Sequence, residues 1–106
     1  MDGKQLASEI KNHLNLHLDN NVLDVILFGS RTKNTAHANS DYDILIILKS
    51  SDNRITRRKI NDLCYDIDLK YNIFLDTQII SKDELLHGIR GKHPIFKLAI
   101  KEGIHA

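Results

Sequence analysis

Two aspartates near the middle of the chain are the residues best suited to chemistry. Asp41 and Asp43 lie two positions apart at the start of the apolar run 44–48, so in a β-strand both side chains point to the same face. Two carboxylates held that close repel each other unless a cation lies between them. Mg²⁺ is the hard cation that carboxylates typically hold together with substrate phosphates. The pair therefore predicts a magnesium site.

A glycine–serine pair ends the predicted strand that precedes these aspartates. A strand that ends in Gly29-Ser30 and opens a helix presents backbone N–H groups and a hydroxyl to an anion. Gly29 also lets the backbone approach a ligand without a Cβ in the way. A phosphate cradle facing a metal-binding acid pair describes a site for a nucleoside triphosphate. Arg31 and Lys33 either contact that triphosphate or are solvated helix residues, and both readings stay open.

A third acid belongs to another predicted strand. Asp76 lies within the apolar segment 71–80, where a carboxylate is costly unless it is paired or bound to a metal. It is therefore the predicted third metal ligand. Asp66 and Asp68 have the same spacing as the first pair, but they lie on a predicted helix, where residues two apart do not face each other. We expect them to be solvated.

The spacing of apolar residues predicts the elements that position these acids. The predicted strands are 22–28, 42–48 and 71–80, and the predicted helices are 4–19, a short one within 31–40, 54–69, one opened by the capping box 81–84, and 92–102. Gly103 is predicted to close the last helix at a C′ position. The nearly continuous apolar character of 42–48 indicates a central strand. Residues 1–106 are thus expected to form one small mixed α/β domain with three main strands.

Composition excludes several classes of protein. With 15 Lys and Arg against 14 Asp and Glu, there is no general basic field, so direct binding of nucleic acid is not expected. The single cysteine, Cys64, argues against a disulfide-rich secreted protein. No apolar run approaches the ~20 residues of a membrane span, and the amino terminus has no apolar signal core. A cytoplasmic location is therefore expected.

The combined motif resembles a known signature. Gly29-Ser30, ten intervening residues and Asp41-Tyr42-Asp43 resemble the Gly-Ser-x10-Asp-x-Asp signature of the DNA polymerase β-like nucleotidyltransferase superfamily. The likeness is strongest to its minimal nucleotidyltransferase branch, which often serves as the antitoxin partner of HEPN-domain proteins. The strand around Asp76 is similar to the family's third-acid strand, and segments 93–96 and 100–104 are similar to its carboxy-terminal end.

The resemblance implies a fold and a ligand set. The fold would be a small polymerase β-like domain, whose mixed sheet has three main strands and a possible short edge strand, flanked by helices. The implied residue roles fall into two groups, which are triphosphate binding by Gly29, Ser30 and Arg31, and ligation of two Mg²⁺ ions by Asp41, Asp43 and Asp76. Asp76 would also help to deprotonate the acceptor.

The resemblance also implies a reaction and a partner. The expected activity is Mg²⁺-dependent transfer of AMP from ATP to a hydroxyl, expected to be that of a tyrosine, on a HEPN-type toxin, with which the chain would form a hetero-oligomer. A length of 106 residues leaves little chain for a separate acceptor-binding domain, so the acceptor is expected to be a partner protein. The alternatives are a non-catalytic module that neutralises its partner by contact, and a nucleotidyltransferase that modifies a small molecule such as an antibiotic.

Overall fold

The structure, a computed structural model, describes residues 2–28, 41–50 and 53–106. The described elements are α1 (Gly3–His17), β1 (Val22–Phe28), β2 (Asp41–Leu48), α2 (Arg54–Tyr71), β3 (Phe74–Ser81), α3 (Lys82–His87), a 3-10 helix (Arg90–Lys92), α4 (Pro94–Glu102) and β4 (Ile104–His105). The short helix predicted within 31–40 lies outside the described residues. No helix in the described part of the chain is long and apolar enough to cross a membrane.

The strands form one mixed sheet in the order β3-β2-β1-β4. β1 pairs antiparallel with both β2 and β4, and β2 pairs parallel with β3. The predicted central position of β2 is therefore confirmed, as is the mixed sheet of three main strands with a short edge strand. Because a parallel connection needs a crossover, helix α2 joins β2 to β3.

Each face of the sheet carries its own part of the core. On one face, here called the α1/α2 face, residues such as Ile44, Ile46 and Leu75 pack against helices α1 and α2. On the other face, the α4 face, Leu45 and Ile80 pack against α4 through Phe96 and Ala99 among others. Strand β2 is thus buried on both sides from Ile44 onward, which explains its continuous apolar run.

The boundary between α2 and β3 differs from the prediction. Tyr71, predicted to start the strand, is the last residue of α2, and its hydroxyl donates to Glu9 of α1. The helix ends at Asn72, which adopts the left-handed conformation with φ 54°, a C-terminal position that asparagine tolerates. Strand β3 therefore begins only at Phe74.

The last predicted helix, 92–102, begins two residues later than predicted, at Pro94. The 3-10 helix Arg90–Lys92 is separated from α4 by His93, whose Nδ1 accepts the Ile95 N–H at 3.1 Å. Pro94 takes the first helical position, where a missing N–H does no harm. Gly103 is not in the left-handed C′ conformation, since its φ is −77°. It is instead a site of close approach, because a Cβ would lie 2.4 Å from the Ala99 oxygen.

A histidine ties the edge strand β4 to its neighbours. The Nδ1 atom of His105 lies 2.6 Å from Oδ2 of Asp24 on β1, and its Nε2 lies 2.8 Å from the carbonyl oxygen of Ile100 on α4. Both partners are acceptors, so both ring nitrogens donate only when the imidazole is protonated. The Ile100 carbonyl, followed by the Asp24 carboxylate, raises the pKa of His105, while burial and the nearby Lys4 oppose this shift.

We predict that this contact makes the free energy of unfolding depend on pH. Because the folded-state pKa of His105 is raised above an unfolded value of about 6.5, its stabilising contribution is complete below that pH and is lost as pH rises through the folded-state pKa. Urea unfolding between pH 6 and 9, followed by far-UV circular dichroism, should show this loss in the wild type and not in His105→Asn. His87→Asn, which alters an exposed histidine of α3, should keep the wild-type profile. Parallel pH profiles for the wild type and His105→Asn would contradict this assignment.

Candidate functional site

The structure brings two of the predicted acids side by side. Asp43 on β2 and Asp76 on β3 are direct partners in the parallel register, and neighbouring strands lie about 4.8 Å apart. Both side chains belong to the α4 face, because each lies an even number of positions before a residue buried on that face, Leu45 and Ile80 respectively. Two carboxylates from different strands therefore share one face of the sheet.

The other predicted site residues lie at or beyond the edge of what the structure describes. Asp41 is the first residue of β2, where its backbone pairs with Phe74 of β3. Gly29, Ser30 and Arg31 lie outside the described residues, as does Lys33. Gly29 nevertheless follows Phe28 directly in the chain.

The position of Phe28 relates this segment to the acids. Phe28 ends β1 and is the antiparallel partner of Asp43. Across β1, β2 and β3, the residues Phe28, Asp43 and Asp76 therefore lie at one level of the sheet. Strand β1 therefore ends beside Asp43, on the side away from β3.

Among the described residues, the α4 face is less covered at the level of the two acids than further along the same strands. Asp43 is half-buried and Asp76 is exposed, whereas Leu45 and Ile80, further along the same two strands, are fully buried. Phe74, the first residue of β3, is 57% exposed. A ligand can therefore reach the Asp76 carboxylate from the α4 side.

The reason given above for selecting Asp76 was wrong, although its position is suitable. The acid was expected to be buried among apolar neighbours, but the apolar residues Leu75 and Ile79 point to the α1/α2 face. Within the described ranges, the Asp76 carboxylate has no hydrogen-bond or ion-pair partner. The exposed carboxylate therefore remains solvated and is available to a ligand.

The donor set fits a hard divalent cation. Asp43 and Asp76 offer carboxylate oxygens, the ligands that Mg²⁺ prefers, and their negative charges repel each other without a cation nearby. Residues 2–28, 41–50 and 53–106 contain no group of three or more His, Cys, Asp and Glu side chains placed to hold a metal. The described part of the chain thus supplies two of the three predicted ligands, and the third, Asp41, lies in the same strand as Asp43.

Asp68 has a role that the sequence prediction missed. It was expected to be solvated, but it is half-buried, and its Oδ1 accepts the Leu75 N–H at 3.0 Å. Its backbone oxygen accepts the N–H groups of Asn72 and Ile73. Desolvation raises the pKa of the Asp68 carboxyl, and the Leu75 N–H opposes that shift. Asp68 therefore joins the end of α2 to the start of β3, immediately before Asp76.

One signal in the sequence pointed to this role. An acid in the last turn of a helix interacts unfavourably with the helix dipole, so Asp68 needs a compensating contact.

A second contact ties β3 to α2, because the Thr77 hydroxyl donates to Oδ1 of Asn61 at 3.1 Å. The exposed Asp66, in contrast, contacts only His13 of α1 among the described residues, at 3.1 Å.

We expect Asp68→Ala to destabilise the protein by about 1–3 kcal/mol, because the part-buried Leu75 N–H loses its acceptor. Asp68→Asn keeps an amide oxygen at that position and should lose less. Asp62→Ala, which removes an exposed acid from the same helix, is the matched control. Urea unfolding at one pH measures all three, and equal stability of Asp68→Ala and Asp62→Ala would refute this role.

Comparisons with known proteins agree with this geometry. The family model "Polymerase beta, Nucleotidyltransferase" matches residues 8–97, a span that contains both paired acids and all four remaining predicted site residues. The fold is similar to a crystal structure of a toxin–antitoxin with AMP-PNP, with a TM-score of 0.54 and 21% identity over 90% of this chain and 70% of that chain. A comparison with curated proteins finds no match.

The extent of the family match shows which protein family the chain belongs to. It covers most of the chain, including β1, β2 and β3 with the acids that they carry. The mixed sheet with helices on both faces agrees with the fold expected from the resemblance. The chain belongs to the polymerase β nucleotidyltransferase family.

Proposed function

We propose that this chain is a Mg²⁺-dependent nucleotidyltransferase that transfers AMP from ATP to a hydroxyl of a partner protein. The observation that carries the proposal is the pairing of Asp43 with Asp76 on the α4 face of the sheet, where Asp76 is exposed. The family supports the general reaction class, and the pairing of the two acids supports Asp43 and Asp76 as its metal ligands.

In the proposed reaction, Asp76 accepts the proton of the acceptor hydroxyl. The hydroxyl oxygen then forms a bond to the α-phosphorus of ATP, while the bond from that phosphorus to the β-phosphate oxygen breaks and pyrophosphate leaves. The exposure of Asp76 allows an acceptor to approach it directly. Asp43 beside it, which is half-buried, would hold a cation, and that cation would supply charge neutralisation at the reacting phosphate.

The proposed ligands are two Mg²⁺ ions and the ATP triphosphate. Asp41, Asp43 and Asp76 would hold the ions, which when bound neutralise the charge that develops on the phosphates. The triphosphate would be bound by the segment that follows β1, through Gly29, Ser30 and Arg31. Support for this assignment comes from their position in the sequence, directly after the partner of Asp43.

The proposed acceptor is a HEPN-type toxin that is modified on a tyrosine and forms a hetero-oligomer with this chain in the cytoplasm. The similarity of the fold to a toxin–antitoxin crystallised with AMP-PNP supports an antitoxin role. The HEPN type and the tyrosine follow from the resemblance of the Gly-Ser and Asp-x-Asp motif.

We predict that Asp43→Asn and Asp76→Asn each lower AMP transfer by roughly 100-fold or more, as expected when a metal ligand or general base is removed. The assay uses the purified chain, its co-expressed partner, Mg²⁺ and ATP labelled at the α-phosphate. The label should move to the partner, and ATP labelled at the γ-phosphate should leave it unlabelled.

The control for this prediction is Asp66→Asn, which changes an exposed aspartate of the other Asp-x-Asp pair and should retain full transfer. Circular dichroism verifies that each variant is folded. A partner that is bound and neutralised equally well by Asp43→Asn, with no label in any reaction, would refute the enzyme and favour a module that acts by contact.

A further inference from the structure

A pocket of about 660 Å³ opens on the α4 face beside the paired acids. Its walls come from β3, the 3-10 helix and the first turn of α4, and Gln78 lines it on the β3 side. Gln78 lies two positions after Asp76, on the same face of the strand and about 7 Å further along it. The pocket is therefore adjacent to the proposed general base.

The interior of this pocket is largely apolar, and the Arg90 side chain lies against its aromatic wall. Phe96, which is 5% exposed, lies in the pocket wall, and Ile89 stands at the rim with 90% of its surface exposed. The Arg90 guanidinium lies 5.8 Å from the centre of the Phe96 ring and donates to the carbonyl oxygen of Ile79 at 2.9 Å. Such a wall suits an aromatic or aliphatic side chain.

The rim of the pocket is positively charged. The basic residues Arg90 and Lys92 line it, and none of the described residues of its lining is an aspartate or glutamate. Glu84 lies 3.7 Å from Arg90 and neutralises part of that charge, but Lys92 is exposed. A binding segment with acidic residues on both sides of an apolar one would complement this surface.

The order of the strands indicates which substrate lies on this side. The predicted triphosphate-binding segment follows β1, the paired Asp43 is on β2, and the pocket lies against β3, the outer strand beyond Asp76. In phosphoryl transfer the attacking and leaving oxygens are roughly in line. Pyrophosphate that leaves toward the β1 side therefore requires an acceptor that approaches from the β3 side.

We infer that this pocket docks the acceptor protein by binding an apolar or aromatic side chain of an extended, acidic segment, which places the acceptor hydroxyl at Asp76. The inference rests on the proposed function and adds the recognition rule. Since an extended chain rises about 3.3 Å per residue, the anchoring side chain lies about two residues from the modified one.

The test uses two fluorescent peptides and does not require catalysis. Each carries a tyrosine with a phenylalanine two positions away, flanked by glutamates in one peptide and by lysines in the other. Fluorescence anisotropy should show that the wild-type chain binds the glutamate peptide at least tenfold more tightly. Lys92→Glu should abolish this preference, and Ile89→Glu should weaken binding at least tenfold, since both change exposed residues of the rim.

The matched control is Leu98→Glu, which places the same charge on an exposed part of α4 (54% exposed) outside the pocket lining and should leave peptide affinity unchanged. Equal affinity for both peptides, or equal weakening by Leu98→Glu and Ile89→Glu, would overturn the inference. So would a loss of ATP affinity in the rim variants with unchanged peptide affinity, because the pocket would then belong to the nucleotide.

Transfer of labelled AMP to the partner protein separates this inference from the proposed function. If rim variants raise the KM for the partner at least tenfold and leave the KM for ATP unchanged, both proposals stand. Transfer that is unaffected by the rim variants refutes the docking pocket alone. The expected peptide binding without any AMP transfer refutes the proposed enzyme and leaves a docking surface.

Discussion

The parallel pairing of β2 with β3 is the constraint on which the rest of the structure depends. It places Asp43 beside Asp76, and its register is enforced by the core. A shift of β3 by one residue would turn every side chain to the opposite face. Leu75, which is 5% exposed, and Ile79, which is 6% exposed, would leave the α1/α2 face, and the Asp76 carboxylate would replace them among apolar groups. The burial of two aliphatic residues thus fixes the position of an acid on the other face.

The same pairing determines which face remains accessible. A parallel connection needs a helical crossover, and α2 packs on the α1/α2 face through buried residues such as Ile60, Cys64 and Ile67. Burial raises the pKa of the Cys64 thiol to about 12, so this residue acts as a packing group and not as a nucleophile. With both long helices on one face, the described elements that cover the other face are the shorter helices, and Asp76 at the acid-bearing end stays exposed.

Much of this arrangement could be predicted from the sequence, because it follows from local patterns. The bounds of β1 matched the prediction, and β2 differed by a single residue, since both strands are apolar runs with sharp ends. The start of β3 was predicted three residues too early because Tyr71 has high strand propensity, whereas its contact with Glu9 of α1 places it in the helix. The edge strand β4 spans only two residues, too few for a periodic signal, and it depends on distant partners such as Asp24.

The candidate site was predictable to a different degree at each residue. Asp43 could be selected from motif spacing alone. Asp76 was selected for a physical reason that its exposure contradicts. The role of Asp68 was missed because it depends on a hydrogen bond from the Leu75 N–H. That contact forms only when α2 and β3 meet. Spacing along one element is visible in a sequence, but the pairing of elements that supports a site is not.

The sequences of the strands nevertheless indicate at which residues the α4 face becomes buried. In β2 the alternation of polar and apolar residues stops after Asp43, and Leu45 is already buried. In β3 the partner of Leu45 is Gln78, which is only half-buried, and the α4 face is fully covered only at Ile80. The open region therefore extends two residues further along the outer strand than along the central one. Helix α4 lies against β1, and the half-buried stretch of the outer strand at Gln78 is where the pocket forms.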